Sequence, residues 1–379
     1  MIYLDNSATT SPYPEVLESF RKVSESYYGN PSSIHQFGGE AEKLLHKATK
    51  QAANLLKVDS SELIFTSGGT ESNNLAIKGI ALQHQNRGRH IITTQIEHPS
   101  VLEACQALES HGFDVTYLSV DAEGKIDMEQ LKNEIRDDTI LISVMHVNNE
   151  LGTIQPIKQI ADIVIKHPKL FFHVDHVQGL GKISLDFTHP GIHLCSMSSH
   201  KIHGLKGTGL LYIQSGTTLS PLLHGGGQQS STRPGTENLA GIVAMVKAMR
   251  LTFEKQKHGY GHLIKLSDII RNLLQKDDRI MINTPRDGAP HILNISVPKF
   301  KPEVVIHALG KKNIFISTKS ACSSKHSDES AVLAACGLGM ERTHYGLRIS
   351  LSYQNTEEEV RQFCKEFKEV LDELNEVMR

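Results

Sequence analysis

The chain has 379 residues, 39% hydrophobic and 22% charged, with a formal net charge of -2; this is the composition of a globular protein long enough for about two domains. The near-neutral charge argues against a broad nucleic-acid-binding face. No apolar run approaches the ~20 residues of a membrane span, and the N-terminus lacks the basic-then-apolar pattern of an export signal.

The five cysteines, Cys105, Cys195, Cys322, Cys336 and Cys364, are odd in number, widely spaced and without a Cys-x-x-Cys pair. That pattern suits free thiols in the cytosol, not a disulfide framework or a structural zinc. The 21 histidines include no His-Glu-x-x-His or similar ligand spacing. His173 and His176 would point differently from a strand, so no metal site is expected.

In chain order, residues 15–58 read as two helical segments parted by the turn-rich stretch 27–33, with Pro31 as stop signal. Short apolar runs then alternate with amphipathic helical windows. The runs are 63–66, 90–94, 115–119, 139–146, 170–174, 193–197 and 209–213. Strands alternating with helices predict an α/β fold, a mostly parallel seven-stranded sheet covered on both faces. A helix follows from Glu237 to about Lys255, then a charged, glycine-bearing break over 254–262 and a second helix through Leu274. A strand over 291–297, a helix over 302–309, a strand over 314–318 and a closing amphipathic helix over 356–379 complete a smaller α+β domain. The expected domains are 14–255 (large) and 1–13 with 256–379 (small).

Ligands of such sheets gather beyond the carboxyl ends of the strands. Polar residues do follow the runs: Ser67-Gly-Gly-Thr70, Glu97-His98, Asn148-Asn149-Glu150, Asp175 with Gln178, and Ser198 to Lys201. Loop polarity alone explains any one of them. Gly68, Gly69 and Thr70 open a helix, where backbone amides and the helix dipole bind phosphate, although a plain N-cap is the rival reading. Asp175 at a strand end needs a partner, and a protonated ring nitrogen is one candidate. His98 is a candidate for stacking or proton shuttling, or a hydrogen-bonded structural residue. Lys201, among Ser198, Ser199, His200 and His203, is placed for covalent work as an imine or, alternatively, for a solvated turn. Together these groups describe a site for pyridoxal 5'-phosphate, an electron sink for amino-acid carbanions.

Tyr3-Leu-Asp-Asn-Ser-Ala-Thr-Thr10, Gly29-Asn-Pro-Ser-Ser33, Thr66-Ser-Gly-Gly-Thr-Glu71, Glu97-His98, Val147-Asn-Asn-Glu-Leu-Gly152, His173-Val-Asp-x-x-Gln178, Ser198-x-His-Lys201, Arg233-Pro-Gly-Thr236 and Ser320-Ala-Cys322 run in order along the chain. As a set they closely resemble the NifS/IscS cysteine desulfurases, class V aminotransferase relatives of the fold-type I pyridoxal-phosphate enzymes. The resemblance implies Lys201 as the Schiff-base lysine, Asp175 as the pyridinium partner, His98 as stacking residue and acid/base, and Gln178 on the phenolic oxygen. It implies Gly69, Thr70, Ser198 and His200 at the phosphate, and Thr236 at the phosphate of the other subunit of a homodimer. Asn149, taken over its neighbour Asn148, and Arg348 would orient the substrate, Arg348 by a two-pronged grip on the carboxylate.

Cys322 would be the nucleophile, on an exposed and mobile polar stretch whose Lys319, Lys325 and His326 favour thiolate. The other four cysteines read as inert packing. The implied activity converts L-cysteine to L-alanine, leaves a persulfide on Cys322 and hands the sulfur to an acceptor protein, for iron-sulfur clusters or tRNA thiolation. The Ser-Ala-Cys context resembles the IscS-type group, while the slightly short segment between Cys322 and Arg348 leaves the acceptor open. A selenocysteine lyase or an aminotransferase on the same scaffold is the nearest rival, and a catalytically silent binding scaffold the rival of another class.

Overall fold

The computed structural model describes residues 1–318 and 329–377. The chain opens with β1 (Ile2–Tyr3), α1 (Pro14–Ser26) and α2 (Gln36–Leu56). Strands and helices then alternate: β2 (Leu63–Thr66), α3 (Gly69–His84), β3 (His90–Thr94), α4 (Pro99–Glu109), β4 (Asp114–Leu118), α5 (Met128–Glu134), β5 (Thr139–Met145), α6 (Ile157–Val164) and β6 (Phe171–Asp175). The strands β7 (Leu194–Ser198) and β8 (Gly209–Ile213) follow, then the long α7 (Leu239–Leu274). The rest comprises β9 (Met281–Ile282), β10 (Ile292–Ser296), α8 (Pro302–Lys311), β11 (Ile314–Phe315), α9 (Ala331–Ala335), α10 (Met340–Thr343), β12 (Gly346–Ser350) and α11 (Glu357–Val377).

Among the described residues, seven strands form the main sheet in the order β2-β8-β7-β6-β5-β3-β4. Only β8 runs against its neighbours, β2 and β7; the other pairs are parallel. The two-faced burial of this sheet explains its apolar runs: β3, β5, β7 and β8 are buried at every position. Where polar side chains interrupt a run, they pair across strands. His173 on β6 bridges Ser143 on β5 (2.8 Å) and Ser196 on β7 (2.9 Å), and burial pushes its imidazole down to about 3.

Two apolar cores are segregated from each other. One gathers β2, β5, β6 and β7 with α2 and Ile242–Met249 side chains of α7; the other gathers Ile2 and Leu4 with Leu263, Leu266, Ile270 and Leu274 of α7, β10, β12, α8 and α11. The expected break over 254–262 does not occur. α7 continues through Gly259 and Gly261 as one 36-residue helix. An isolated helical glycine costs only about 1 kcal/mol relative to alanine, and the packing of both halves of α7 outweighs it. The expected strand over 314–318 is shorter, Ile314–Phe315, with a single bridge from Ser317 to Arg348 beyond it.

Candidate active site

One cleft opens at the carboxyl ends of β2, β3, β5, β6 and β7. It is lined by Ser7, Ala8, Gly69, Thr70, Asn73, His98, Ser100, Met145, Val147, Asn149, Asp175, Val177, Gln178, Ser198, His200, Lys201 and Arg348. Each expected cluster after a strand therefore reaches the same place, because parallel strands deliver their carboxyl ends to one edge.

Lys201 ends a 3₁₀ turn, Ser199–Lys201, that follows β7 directly. Its Nζ donates to the carbonyls of Ser7 (2.5 Å) and Ala8 (2.7 Å). Behind it the buried Lys182 Nζ donates to the Lys201 carbonyl at 3.0 Å, and burial pushes Lys182 down to about 8. The His200 ring, next to Thr9 Oγ1 at 3.2 Å, is pushed down to about 4, mainly by burial and further by Lys201, Lys206 and Lys182.

Asp175 ends β6 and is 5% exposed. Its carboxylate accepts from Asn73 Nδ2 (2.8 Å) and from the Val177 amide (3.0 Å). Gln178 donates from Nε2 to the Ser7 carbonyl at 3.0 Å, so its side chain ties the N-terminal segment to the cleft floor. His98 is the N-cap of α4 and accepts there from the Ser100 amide. Burial lowers its pKa, Asp175 opposes that shift and Lys201 adds to it.

The first turn of α3 has no side-chain cap, contrary to the plain N-cap reading of Ser67 to Thr70. Gly68 sits at φ 155°, backbone that favours glycine, and a Cβ on Gly209 would come within 2.6 Å of Gly68 Cα. Glu71 folds back onto the Ser67 amide (2.7 Å) and meets Arg233 at 2.8 Å. Burial raises its pKa, but the hydrogen bonds from Arg233 and Ser67 outweigh that and leave it lowered.

Of the two asparagines, Asn148 is fully buried and holds a turn: Oδ1 accepts from the amides of Glu150 (3.0 Å) and Leu151 (2.7 Å). Asn149 lines the cleft. Arg348 on β12 is 1% exposed and crosses from the second core into the cleft. Nη1 donates to the Asn149 carbonyl (2.9 Å), and Nη2 to Asp5 (3.0 Å) and Ser317 Oγ (2.8 Å). Its fork is thus already engaged at both ends, and Nε is the nitrogen without a partner among the described residues.

Thr236 is exposed and does not line this cleft. Cys322 lies outside the described residues, as do Lys319, Lys325 and His326. The cysteines at 105, 195, 336 and 364 are buried and free, and burial raises the pKa of each thiol, as inert packing requires. Among the described residues no cluster of histidine, cysteine or carboxylate could hold a metal ion.

Among the described residues, five buried polar atoms without a hydrogen-bond partner line the cleft: Ser7 Oγ, Asn73 Oδ1, Gln178 Oε1, Ser198 Oγ and Arg348 Nε. Orphaned polar atoms so concentrated are what a polar ligand would satisfy. An uncapped helix start, an amine, a carboxylate and a flat imidazole surround them. These donors and acceptors fit pyridoxal 5'-phosphate.

Sequence reasoning missed Ser7, Asn73, Ser100 and the latch of Glu71 with Arg233. Only Asn73 carried a local signal, lying three residues after Thr70 and so on the same face of α3.

Residues 2–363 match the aminotransferase class-V family. The chain is similar to a NifS/IcsS protein homolog of Lactobacillus delbrueckii, with 45% identity over 100% of this chain and 99% of that protein. It is also similar to the cysteine desulfurase IscS of Methanosarcina thermophila, with 43% identity over 98% of this chain and 92% of that protein. A solved NifS-like protein superposes with a TM-score of 0.93 at 38% identity, covering 98% of this chain and 99% of the other.

Proposed function

The chain belongs to the aminotransferase class-V family and within it to the NifS/IscS cysteine desulfurases, and from that premise we propose that it converts L-cysteine to L-alanine and leaves the sulfur as a persulfide on Cys322. The observation that carries this reading is the cleft that sets Lys201, Asp175, His98 and the uncapped start of α3 around orphaned polar atoms.

Lys201 would hold pyridoxal 5'-phosphate through its aldehyde, Asp175 would face the ring nitrogen, and His98 would lie on the ring. Gln178 would reach the phenolic oxygen, and Gly69, Thr70, Ser198 and His200 would hold the phosphate. When bound, that group supplies an electron sink that acidifies the Cα–H of a joined amino acid. Asn149 and Arg348 would orient the cysteine carboxylate, with Arg348 exchanging contacts it makes with Asp5 and Ser317 for the substrate. The Cys322 thiolate takes the substrate sulfur: the Cβ–S bond breaks, a Cys322 S–S bond forms, and the carbon skeleton takes up a proton and leaves as alanine. Segment 256–379 with residues 1–13 would form a small domain that carries Cys322 to the cleft.

The sulfur would pass to an acceptor protein, an iron-sulfur scaffold or a tRNA thiolation enzyme. We place the reaction in the cytosol, and among the described residues no helix is long and apolar enough to cross a membrane. Thr236, exposed and away from its own cleft, would complete the cleft of a second copy in a homodimer.

The test is direct. The purified protein should carry an absorbance band near the visible edge that Lys201→Ala abolishes, and should release sulfide and alanine from L-cysteine. Cys322→Ala should stop sulfide release while keeping the band. Sulfide release undiminished in that variant would point to a simple lyase, and a colourless protein to a binding scaffold.

A further inference from the structure

His98 sits at the end of a chain of hydrogen bonds that starts at Asp175. Asn73 Nδ2 carries two N–H groups. One donates to Asp175 Oδ2 at 2.8 Å and the other to Ser100 Oγ at 2.9 Å. The reverse orientation of this amide would set its oxygen against the carboxylate. Ser100 Oγ lies 2.7 Å from His98 Nδ1, and the Ser100 backbone amide donates to the same nitrogen at 3.1 Å.

The direction of each bond follows. A backbone N–H can only donate, so Nδ1 presents its lone pair. Ser100 Oγ, accepting from Asn73, turns its own proton toward Nδ1. A neutral imidazole has a single N–H, which must then be on Nε2, the ring nitrogen left for the cleft. Burial, the largest influence on this ring, disfavours the doubly protonated form. No proton can travel from His98 to Asp175 along this chain, because the Asn73 amide donates in both directions.

We propose that Asn73 and Ser100 are positioning residues that hold His98 as the Nε2–H tautomer, so that His98 serves as a hydrogen-bond donor and stacking ring and not as the base that removes the Cα proton of cysteine. The proposal rests on the desulfurase reading of the cleft. The lone pair a base would use is on Nδ1, turned toward α4 and shared by two donors. The Cα proton would go instead to the Lys201 nitrogen, which also lines the cleft and is an amine again once the nitrogen of the substrate has taken its place on the cofactor.

The test is a nitrogen-15 spectrum of the holoenzyme loaded with pyridoxal 5'-phosphate and labelled at histidine, with the His98 resonances identified by their loss in His98→Gln. At neutral pH the proton should be on Nε2; a proton on Nδ1, or on both nitrogens, overturns the proposal. In Ser100→Ala the Nδ1 resonance should move toward that of a less hydrogen-bonded lone pair, and an unmoved resonance counts against Ser100. Kinetically, His98→Gln keeps an N–H near the position of Nε2 and should lower kcat by no more than about tenfold, whereas loss of a general base costs roughly 10²–10⁴-fold. A loss in that larger range sinks the donor role. Failure of the desulfurase reading shows separately, as no sulfide from cysteine with the unsubstituted holoenzyme, and the tautomer is still read from the same spectrum.

Discussion

Asn148 and Asn149 differ in what their side chains hold. Asn148→Ala strands the buried amides of Glu150 and Leu151, a cost of roughly 1–3 kcal/mol for each unsatisfied group, and should lower the melting temperature. Asn149→Ala should leave melting unchanged and raise KM for L-cysteine by about tenfold, the value of one hydrogen bond near 1.4 kcal/mol. Glu97 gives a pH prediction. Its Oε1 accepts from Thr94 Oγ1 and the Met145 amide, both at 2.9 Å, while Oε2 is buried without a partner among the described residues. Burial, followed by the nearby Asp175 charge, pushes its carboxyl up to about 8 from an ordinary value of 4.5. The folded state keeps a proton that the unfolded chain gives up, so the contribution is full below about 4.5 and is lost as pH rises through about 8. Glu97→Gln mimics the protonated side chain. Urea midpoints should agree with the parent near pH 4.5 and exceed it above the folded-state value; a parent whose midpoint declines no faster than the variant's would show that Glu97 is not the group responsible.

At the scale of the element, α7 is the spine shared by both cores. Gly261 is exposed, and among the described residues nothing beyond its own stretch of helix comes within 4 Å of the place a methyl group would take, whereas a Cβ on Gly259 would lie 2.8 Å from Tyr353 Cδ1. Tyr353 cannot simply swing aside, since its hydroxyl donates to the Gly181 carbonyl at 2.9 Å. Gly261→Ala should therefore stabilise the protein by roughly 0.5–1 kcal/mol through helix propensity, and Gly259→Ala should destabilise it. Denaturant titrations of the two variants check the pair, and equal shifts would mean that the Tyr353 contact yields freely.

At the scale of the whole molecule, the predicted homodimer has a specific consequence. The loop containing exposed Tyr28 and Ile34 meets the loop leading to Thr236, where Gln228 Nε2 donates to Ser32 Oγ at 3.5 Å. Apolar exposure beside a residue assigned to another copy's phosphate suits an interface. Thr236→Ala alone should retain pyridoxal 5'-phosphate poorly. Mixed with Lys201→Ala, it should regain cofactor and activity, because the mixed dimer contains one cleft with both residues intact. A monomer in sedimentation, or no recovery on mixing, would rule this arrangement out.

The alternation of apolar runs with helical windows, and the polar residues just beyond each run, already determined the strands of the main sheet and the edge at which Thr70, His98, Asn149, Asp175 and Lys201 meet. Those signals are local: side-chain period and turn chemistry act within a few residues, and parallel strands end on one edge whatever their order. Only the tertiary structure decided that Asn73 joins Asp175, 102 residues away, to Ser100, 27 residues away, that Arg348 enters the cleft from the second core, and that α7 runs unbroken. Each of these depends on groups brought together from distant parts of the chain, where the direction of a hydrogen bond or the packing of a second core outweighs the preference of the residue itself.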